Sequence, residues 1–311
     1  MDQRPKLLSL NGMTVPFKDA RVHMLTPAFK YGACAFEGLR GYRAAKSEEL
    51  YIFRLHEHLD RLRFSMHVMR FEDQPSNEAM TLALRDLIQA NGITGDCHIR
   101  LMVWVDGEGE QTAIGPIGWG IAAIPREPDP RVREGIHVAV SSWTRISDNA
   151  MPPRIKVTAN YNNGRLSGLQ AKTDGYGGVI LLTAAGNVSE TPGACVFIVR
   201  DGKLITPSHS DDILESITRT TVLDLAWHEL GIPAEERAIA RTELYAAQEA
   251  FICGSGNEIQ PILSVDRLPL GSGEPGPITR RVQQAYFDAV RGALPARSAW
   301  LTPMLTKQTA A

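Results

Sequence analysis

Apolar residues recur along this chain in two periods, and the places where one period gives way to the other outline its elements. Leu55, Leu59, Leu62, Met66 and Met69 follow one another at spacings of four and three, the stripe of an amphipathic helix, with Arg61 off the stripe. A second helix runs from Ser76, a hydroxyl N-cap, to the stop at Asn91-Gly92, and turns Met80, Leu84, Leu87 and Ile88 inward. From Cys97 to Val105 the period falls to two. Ile99, Leu101, Val103 and Val105 share one face and His98, Arg100, Met102 and Trp104 the other, which is the alternation of a strand. A histidine and an arginine on a face otherwise made of methionine and tryptophan point to a lined cavity. Pro125-Arg-Glu-Pro-Asp-Pro130 carries neither period and continues neither a helix nor a central strand, so it reads as an interdomain connection. Beyond it Ile136 to Val140, Val179 to Leu182 and Cys195 to Val199 read as short buried strands. Asp201-Gly202 reads as a two-residue hairpin turn, and Ser216 to Leu230 as a helix capped by Ser216 and stopped by Gly231 and Pro233. The expected fold class is α/β (α+β) in two domains, 1–125 and 135–311, joined by a loop at 126–134.

Composition narrows the function without naming it. Of 311 residues 43% are hydrophobic and 22% charged, the balance of a folded chain rather than a disordered one. The 33 basic and 35 acidic residues are interspersed, giving a net charge of -2 with no block of one sign, so no nucleic-acid partner is expected. Charges and a proline stand near the start where a secretory leader needs an apolar core, and no run approaches the roughly 18 apolar residues of a membrane span. A cytoplasmic protein without a membrane partner is the expectation. Cys34, Cys97, Cys195 and Cys253 lie far apart and form no CxxC pair, so they read as reduced, mostly buried thiols, with no metal site expected.

Three segments could carry chemistry. Lys156 stands between Ile155 and Val157 in a short extended run after Pro152-Pro153, and apolar flanks favour a lysine that gives up its proton for Schiff-base work. Taken alone, the run reads more simply as a surface lysine that snorkels. Glu190, in Val188-Ser-Glu-Thr-Pro-Gly193, opens a turn between two apolar strands. It suits a carboxylate that keeps a pyridine nitrogen protonated, or an ordinary solvated loop residue. Ser216-Ile-Thr218 at a helix start and Gly254-Ser-Gly-Asn257 after a strand-like run both offer backbone N–H groups beside hydroxyls, as a phosphate cradle does.

Their order is more telling than any one of them. Tyr31-Gly-Ala-Cys-Ala-Phe-Glu-Gly-Leu-Arg40, His56-Glu-His-Leu-Asp-Arg-Leu62, the run from Lys156 to Tyr161, Val188-Ser-Glu190, Ile217-Thr-Arg219 and Gly254-Ser-Gly-Asn-Glu258 resemble the successive motifs of the branched-chain amino-acid aminotransferases. These are class IV pyridoxal-phosphate enzymes of fold type IV, and the resemblance runs from about Asn11 to about Gly292. It implies a two-domain fold of the D-amino-acid aminotransferase kind, pyridoxal 5'-phosphate as cofactor, and amino and keto acids as small-molecule partners. It also implies a homodimer, open to higher assembly, with active sites at the subunit interface. The reaction implied is transfer of an amino group from a branched-chain or related medium-sized apolar L-amino acid to 2-oxoglutarate.

Residue by residue, the resemblance makes Lys156 the lysine that carries the cofactor as a Schiff base and shuttles the proton between Cα and C4′. It places Tyr161 on the ring O3′, Glu190 on the ring nitrogen, Leu214 against the ring, and Arg61, Ile217, Thr218 and Ser255 on the phosphate. Phe36, Tyr31 and Trp104 border the substrate pocket with His98 and Arg100, and the α-carboxylate is held by backbone N–H groups of Ser255-Gly256-Asn257. The pattern departs at four places: Ala194-Cys195 replace a Glu-Asn pair, His98 replaces a tyrosine, Ser255 a threonine and Asn257 an alanine. His98, Cys195 and Asn257 bear on the substrate side. An imidazole with an ordinary pKa of about 6.5 at His98 would make donor use depend on pH between about 5.5 and 7.5. D-amino-acid or (R)-amine transaminases and aminodeoxychorismate lyases share the lysine and the glutamate and are the alternative readings.

Overall fold

The computed structural model describes residues 4–305. They divide into two compact units. The first takes the described residues up to Glu127, then Ile155–Ala159, then those from Asp288 on; the second takes Pro128–Arg154 and Asn160–Phe287. The Lys156 run therefore belongs to the first unit although the sequence on either side of it belongs to the second.

In the first unit the strands β1 (Leu7–Leu10), β2 (Met13–Pro16), β3 (Cys34–Arg43), β4 (Leu50–Phe53), β5 (Cys97–Val105) and β6 (Ile117–Pro125) join Leu301–Pro303 in a seven-stranded sheet. Its order is Leu301–Pro303, β4, β3, β5, β6, β1, β2, antiparallel throughout. The helices fall where the sequence periods place them, at Leu55–Val68 and Asn77–Ala90. Ser76 caps the second, its Oγ accepting from the Ala79 N–H at 3.1 Å. Leu55, Leu59, Leu62 and Met66 of one helix and Met80, Leu84, Leu87 and Ile88 of the other are buried with Ile99, Leu101 and Val103 of β5 and Ala35 and Leu39 of β3. Each such leucine contributes about 1.5–3 kcal/mol by leaving water. Met69 falls just past the helix and is only half-buried. The core thus lies on one face of the sheet. His98, Arg100, Met102 and Trp104 pair with Arg40, Gly38, Phe36 and Cys34 of β3, and these residues share the opposite face.

The second unit holds an eight-stranded sheet of β7 (Ile136–Thr144), β8 (Gly178–Leu182), β9 (Cys195–Arg200), β10 (Lys203–Thr206), β11 (Ala234–Glu236), β12 (Glu249–Gly254), β13 (Glu258–Val265) and the short Leu268–Pro269. The path runs β11, β10, β9, β12, β13, β7, β8, with parallel pairing of β10 with β11, β13 with β7, and β7 with β8. Asp201 and Gly202 take φ of 51° and 74° and join β9 to β10, as a two-residue hairpin of that sequence requires. The helix expected over 216–230 is α-helical only over Ile217–Leu225 and then widens into a π-helix at Ala226–Leu230 before Gly231 stops it in the left-handed region. Nothing in the structure explains the widening. This helix packs on β12, and the helix Tyr161–Thr173 packs on β7 and β8. Among the described residues no helix is long and apolar enough to cross a membrane.

Candidate active site

In the first unit the chemistry gathers around Phe36. Ile155 and Val157 turn into the core, Val157 bridging to Ala35, so Lys156 between them turns the other way. Both polar atoms of its backbone are held: the N–H donates to Ser65 Oγ at 3.0 Å, and the C=O accepts from the Phe36 N–H at 2.9 Å. Lys156 Nζ stands 4.9 Å from the centroid of the Phe36 ring and the Arg100 guanidinium 4.8 Å from the same ring. Each such cation–aromatic contact is worth about 0.5–2 kcal/mol.

The neighbouring strand positions make room for this group. A Cβ on Gly38 would come 3.3 Å from His98 Cε1 and 3.9 Å from Arg100 Nη1, so the glycine leaves space for both side chains. Trp104 lies flat on β6, where a Cβ on Gly118 would come 2.7 Å from its indole. Trp104 Nε1 and His98 Nδ1 are both buried without a hydrogen-bond partner among the described residues, a state that costs about 1–3 kcal/mol per group unless a ligand satisfies it. Tyr31 stands apart, ending the short helix Pro27–Tyr31 at 43% exposure with Lys30 against its ring.

His98 does not titrate where a free imidazole would. Burial, aided by the charges of Arg100, Arg40, Arg126 and Lys156, pulls its pKa down to about 4, which corrects the window of pH 5.5–7.5 expected from the sequence. His98 is neutral above about pH 5. The unfolded chain binds the extra proton between about pH 6.5 and 4, so stability falls as pH drops through that range. The ratio of kcat/KM for glutamate to that for leucine should then be flat from about pH 5.5 to 7.5 as far as this residue goes. His98→Tyr should change the ratio without changing its pH slope. A slope present in the wild type and missing in His98→Tyr would contradict the burial argument.

On the helix side of the same strand Glu37 sits fully buried between two residues of the helix Leu55–Val68. Arg61 donates through Nε and Nη2 at 2.8 and 2.7 Å, and His58 Nδ1 lies 2.7 Å away. Burial works against the charge of Glu37, but Arg61 and His58 outweigh it and hold the carboxyl well below the usual range; burial lowers the pKa of His58 despite Glu37. The trio is one carboxylate, one guanidinium and one neutral imidazole donating to the carboxylate. Glu37→Gln removes the charge that orients Arg61 and should cost about 3–5 kcal/mol in a denaturant titration of the cofactor-free protein. The stability Glu37 contributes is present above about pH 4.5 and is lost as pH falls toward its lower folded value, so Glu37→Gln should flatten that acid limb. An unchanged denaturation midpoint would contradict this reading of the trio.

The second unit holds the other half of the expected residues. Tyr161 opens the helix Tyr161–Thr173 and is half-buried. Glu190 is buried, and its Oε1 accepts from Arg145 Nε at 3.1 Å, from Arg145 Nη2 at 2.8 Å and from the Leu214 N–H at 3.2 Å. The Cys195 thiol lies 3.9 Å from Oε2, so this departure from the family pattern acts first on Glu190 rather than on the substrate side. All four cysteines are buried and none forms a disulfide, and burial pushes Cys34 and Cys97 up to about 12.

Ser216 caps the helix at Ile217, its Oγ accepting from the Arg219 N–H, and Thr218 is buried in the first turn, where backbone N–H groups have no helical acceptor. Arg219 pins that turn: fully buried, it donates to the Pro207 carbonyl at 2.8 Å and to Glu236 at 2.5 Å. The turn after β12 is closed by Asn257 N–H to the Gly254 carbonyl at 3.0 Å. A Cβ on Gly256 there would meet nothing within 4 Å, so the half-buried backbone of Ser255-Gly256-Asn257 is open to a ligand.

Sequence reasoning did not single out Ser65, Glu37, His58 or Arg145. Glu37 had a signal, since His58 and Arg61 are three apart on one helix and can reach a single carboxylate. Arg145 had none: it follows an exposed strand end and meets Glu190 across 45 positions.

Residues 35–265 match the family described as amino-transferase class IV. A probable branched-chain-amino-acid aminotransferase of Aquifex aeolicus (strain VF5) is 36% identical over 304 residues, covering 95% of this chain and 96% of that protein. The crystal structure of the branched-chain amino acid aminotransferase of Thermobaculum terrenum in its PLP form is similar with a TM-score of 0.92 at 39% identity, covering 98% of this chain and 100% of the other. The T.th. branched-chain amino acid aminotransferase complexed with N-(5'-phosphopyridoxyl)-L-glutamate is similar with a TM-score of 0.91 at 34% identity, covering 96% and 99%. The same T.th. enzyme has been solved with 4-methylvaleric acid.

Proposed function

This chain belongs to the class IV amino-transferase family, and from that premise we propose that it is a pyridoxal-phosphate-dependent branched-chain amino-acid aminotransferase with 2-oxoglutarate as amino acceptor. The observation that carries the reading is the placement of Lys156, which turns away from the core between the core residues Ile155 and Val157, beside Phe36 and Arg100. The residues present fit the cofactor. A buried carboxylate held by a guanidinium suits a protonated ring nitrogen, and a capped helix start with a glycine turn suits a phosphate.

When bound, pyridoxal phosphate supplies an electrophilic carbon and a ring that takes up the electron pair left when the donor's Cα loses its proton. Lys156 Nζ would hold the cofactor and then move the proton at the donor's Cα. Glu190 would keep a proton on the ring nitrogen, Tyr161 would donate to the ring O3′, and Leu214 would pack on the ring. Arg61, oriented by Glu37, and Ile217, Thr218 and Ser255 bind the phosphate. The backbone N–H side of the Ser255-Gly256 turn would orient the α-carboxylate, the Asn257 N–H being taken by the Gly254 carbonyl. Phe36 and Trp104 offer the apolar surface for a branched side chain. Arg100 and His98 serve the distal carboxylate of the acceptor, in keeping with the glutamate derivative and the branched acid bound by the T.th. relative. We read the chain as a homodimer as well, with Phe29 and Tyr31 exposed for a second copy.

The test is product formation from L-leucine, L-isoleucine and L-valine with and without 2-oxoglutarate. Turnover that requires the acceptor supports the proposal. Product without an acceptor points to a lyase, and response to D-amino acids or (R)-amines alone points to those transaminases.

A further inference from the structure

The charge state of the carboxylate at Glu190 is not left to that residue alone. Arg145 is itself buried, and it sends two N–H groups, Nε and Nη2, into one oxygen of Glu190 at 3.1 and 2.8 Å, where the Leu214 N–H joins them. The arginine is held in turn. Asn163 Oδ1 accepts from Arg145 Nη1 at 3.4 Å and from the Ile146 N–H at 3.3 Å, and Asn163 Nδ2 donates to the Thr144 carbonyl at 2.9 Å. Asn163 stands two residues into the helix that Tyr161 opens, so one side-chain amide ties the start of that helix to the arginine. The backbone of Glu190 is fixed to the same place: its carbonyl accepts from the Leu181 N–H at 2.9 Å, while the Arg145 N–H donates to the Leu182 carbonyl at 2.8 Å.

We propose that Arg145 is a positioning residue for the ring nitrogen of the bound cofactor, which by fixing one oxygen of Glu190 and supplying a buried positive charge keeps the shared proton on the ring rather than on the carboxylate. The inference rests on the reading of Glu190 given above. Its physical basis is the pair of charge-assisted hydrogen bonds that one guanidinium gives to one carboxylate oxygen. A carboxylate already engaged by a guanidinium gains less from taking a further proton, so a proton between it and a pyridine nitrogen stays on nitrogen. An arginine whose role was only packing would leave that proton where it is.

The experiment uses holoenzyme loaded with pyridoxal phosphate labelled with nitrogen-15 in the ring, whose chemical shift reports protonation directly, alongside the rate of the half-reaction with L-leucine. Arg145→Gln keeps a hydrogen-bond donor and loses the charge. The expected result is a shift toward the unprotonated ring nitrogen and a half-reaction at least about tenfold slower, the scale of one charge-assisted hydrogen bond. Arg145→Lys restores the charge without the fork. It should keep the ring protonated at neutral pH but lose the proton at lower pH than the wild type, which decides the matter if Arg145→Gln does not fold. Glu190→Gln is the control that separates the two readings. If it moves the nitrogen signal and neither Arg145 variant does, Arg145 is structural only. If Glu190→Gln leaves the signal unmoved, Glu190 is not the partner of the ring nitrogen, and the inference falls with it.

Discussion

Replacing Lys156 by alanine should lower turnover by more than about a thousandfold, the scale on which enzymes lose rate when a covalent or proton-moving group is removed. The side chain is only half-buried and its backbone is held by Ser65 Oγ and the Phe36 N–H, neither of which the substitution touches. Folding stability should therefore change by no more than about 1 kcal/mol. Pyridoxal phosphate should still bind through the phosphate-side residues, but without the visible absorbance of a lysine-linked cofactor. Kinetics and a spectrum of purified Lys156→Ala with no amine added check both halves of this expectation. If the variant keeps that absorbance, another lysine carries the cofactor.

Glu190→Gln should be nearly as damaging, by a different route. Glutamine keeps the size and one acceptor oxygen for Arg145, but it removes the negative charge that, on the proposed function, would hold a proton on the ring nitrogen. Removal of the donor's Cα proton should slow by about a hundredfold or more, while cofactor affinity changes modestly because the phosphate contacts remain. Breaking a buried pair whose side chains are only 7% and 6% exposed leaves Arg145 without its counter-charge and should cost about 3–5 kcal/mol of stability. A thermal melt and a single-turnover measurement with L-leucine separate the two effects. Wild-type proton removal in a folded Glu190→Gln protein would contradict the role given to this carboxylate.

The periodicities placed the helices Leu55–Val68 and Asn77–Ala90 and strand β5 closely because each buries one face against a single core, and burial is what a period records. The return of the Lys156 run to the first unit was not legible, since a five-residue segment has too little pattern to announce which sheet it joins. Lys156, Glu190 and the two candidate phosphate turns each look ordinary in their local sequence and stood out only through the order in which their motifs follow one another along the chain. The groups that hold them did not stand out. Ser65 looks like any helix-interior serine until it is seen against the Lys156 N–H, and Arg145 is distinguished only by a partner 45 positions away. For His98 the sequence supplied the residue and an ordinary pKa, but its lowered value comes first from burial and then from the charges of Arg100, Arg40, Arg126 and Lys156 brought around it by the fold. Tertiary electrostatics of that kind leaves no mark on a period or a motif.

The most direct test of the account mixes holoenzyme with L-leucine alone, in the absence of any acceptor, and follows the cofactor's visible absorbance together with the keto acid released. The account predicts loss of the visible band, one equivalent of 4-methyl-2-oxopentanoate per active site, and full return of the band when 2-oxoglutarate is added, with one equivalent of L-glutamate formed. A band that L-leucine, L-isoleucine and L-valine all leave unchanged would contradict it.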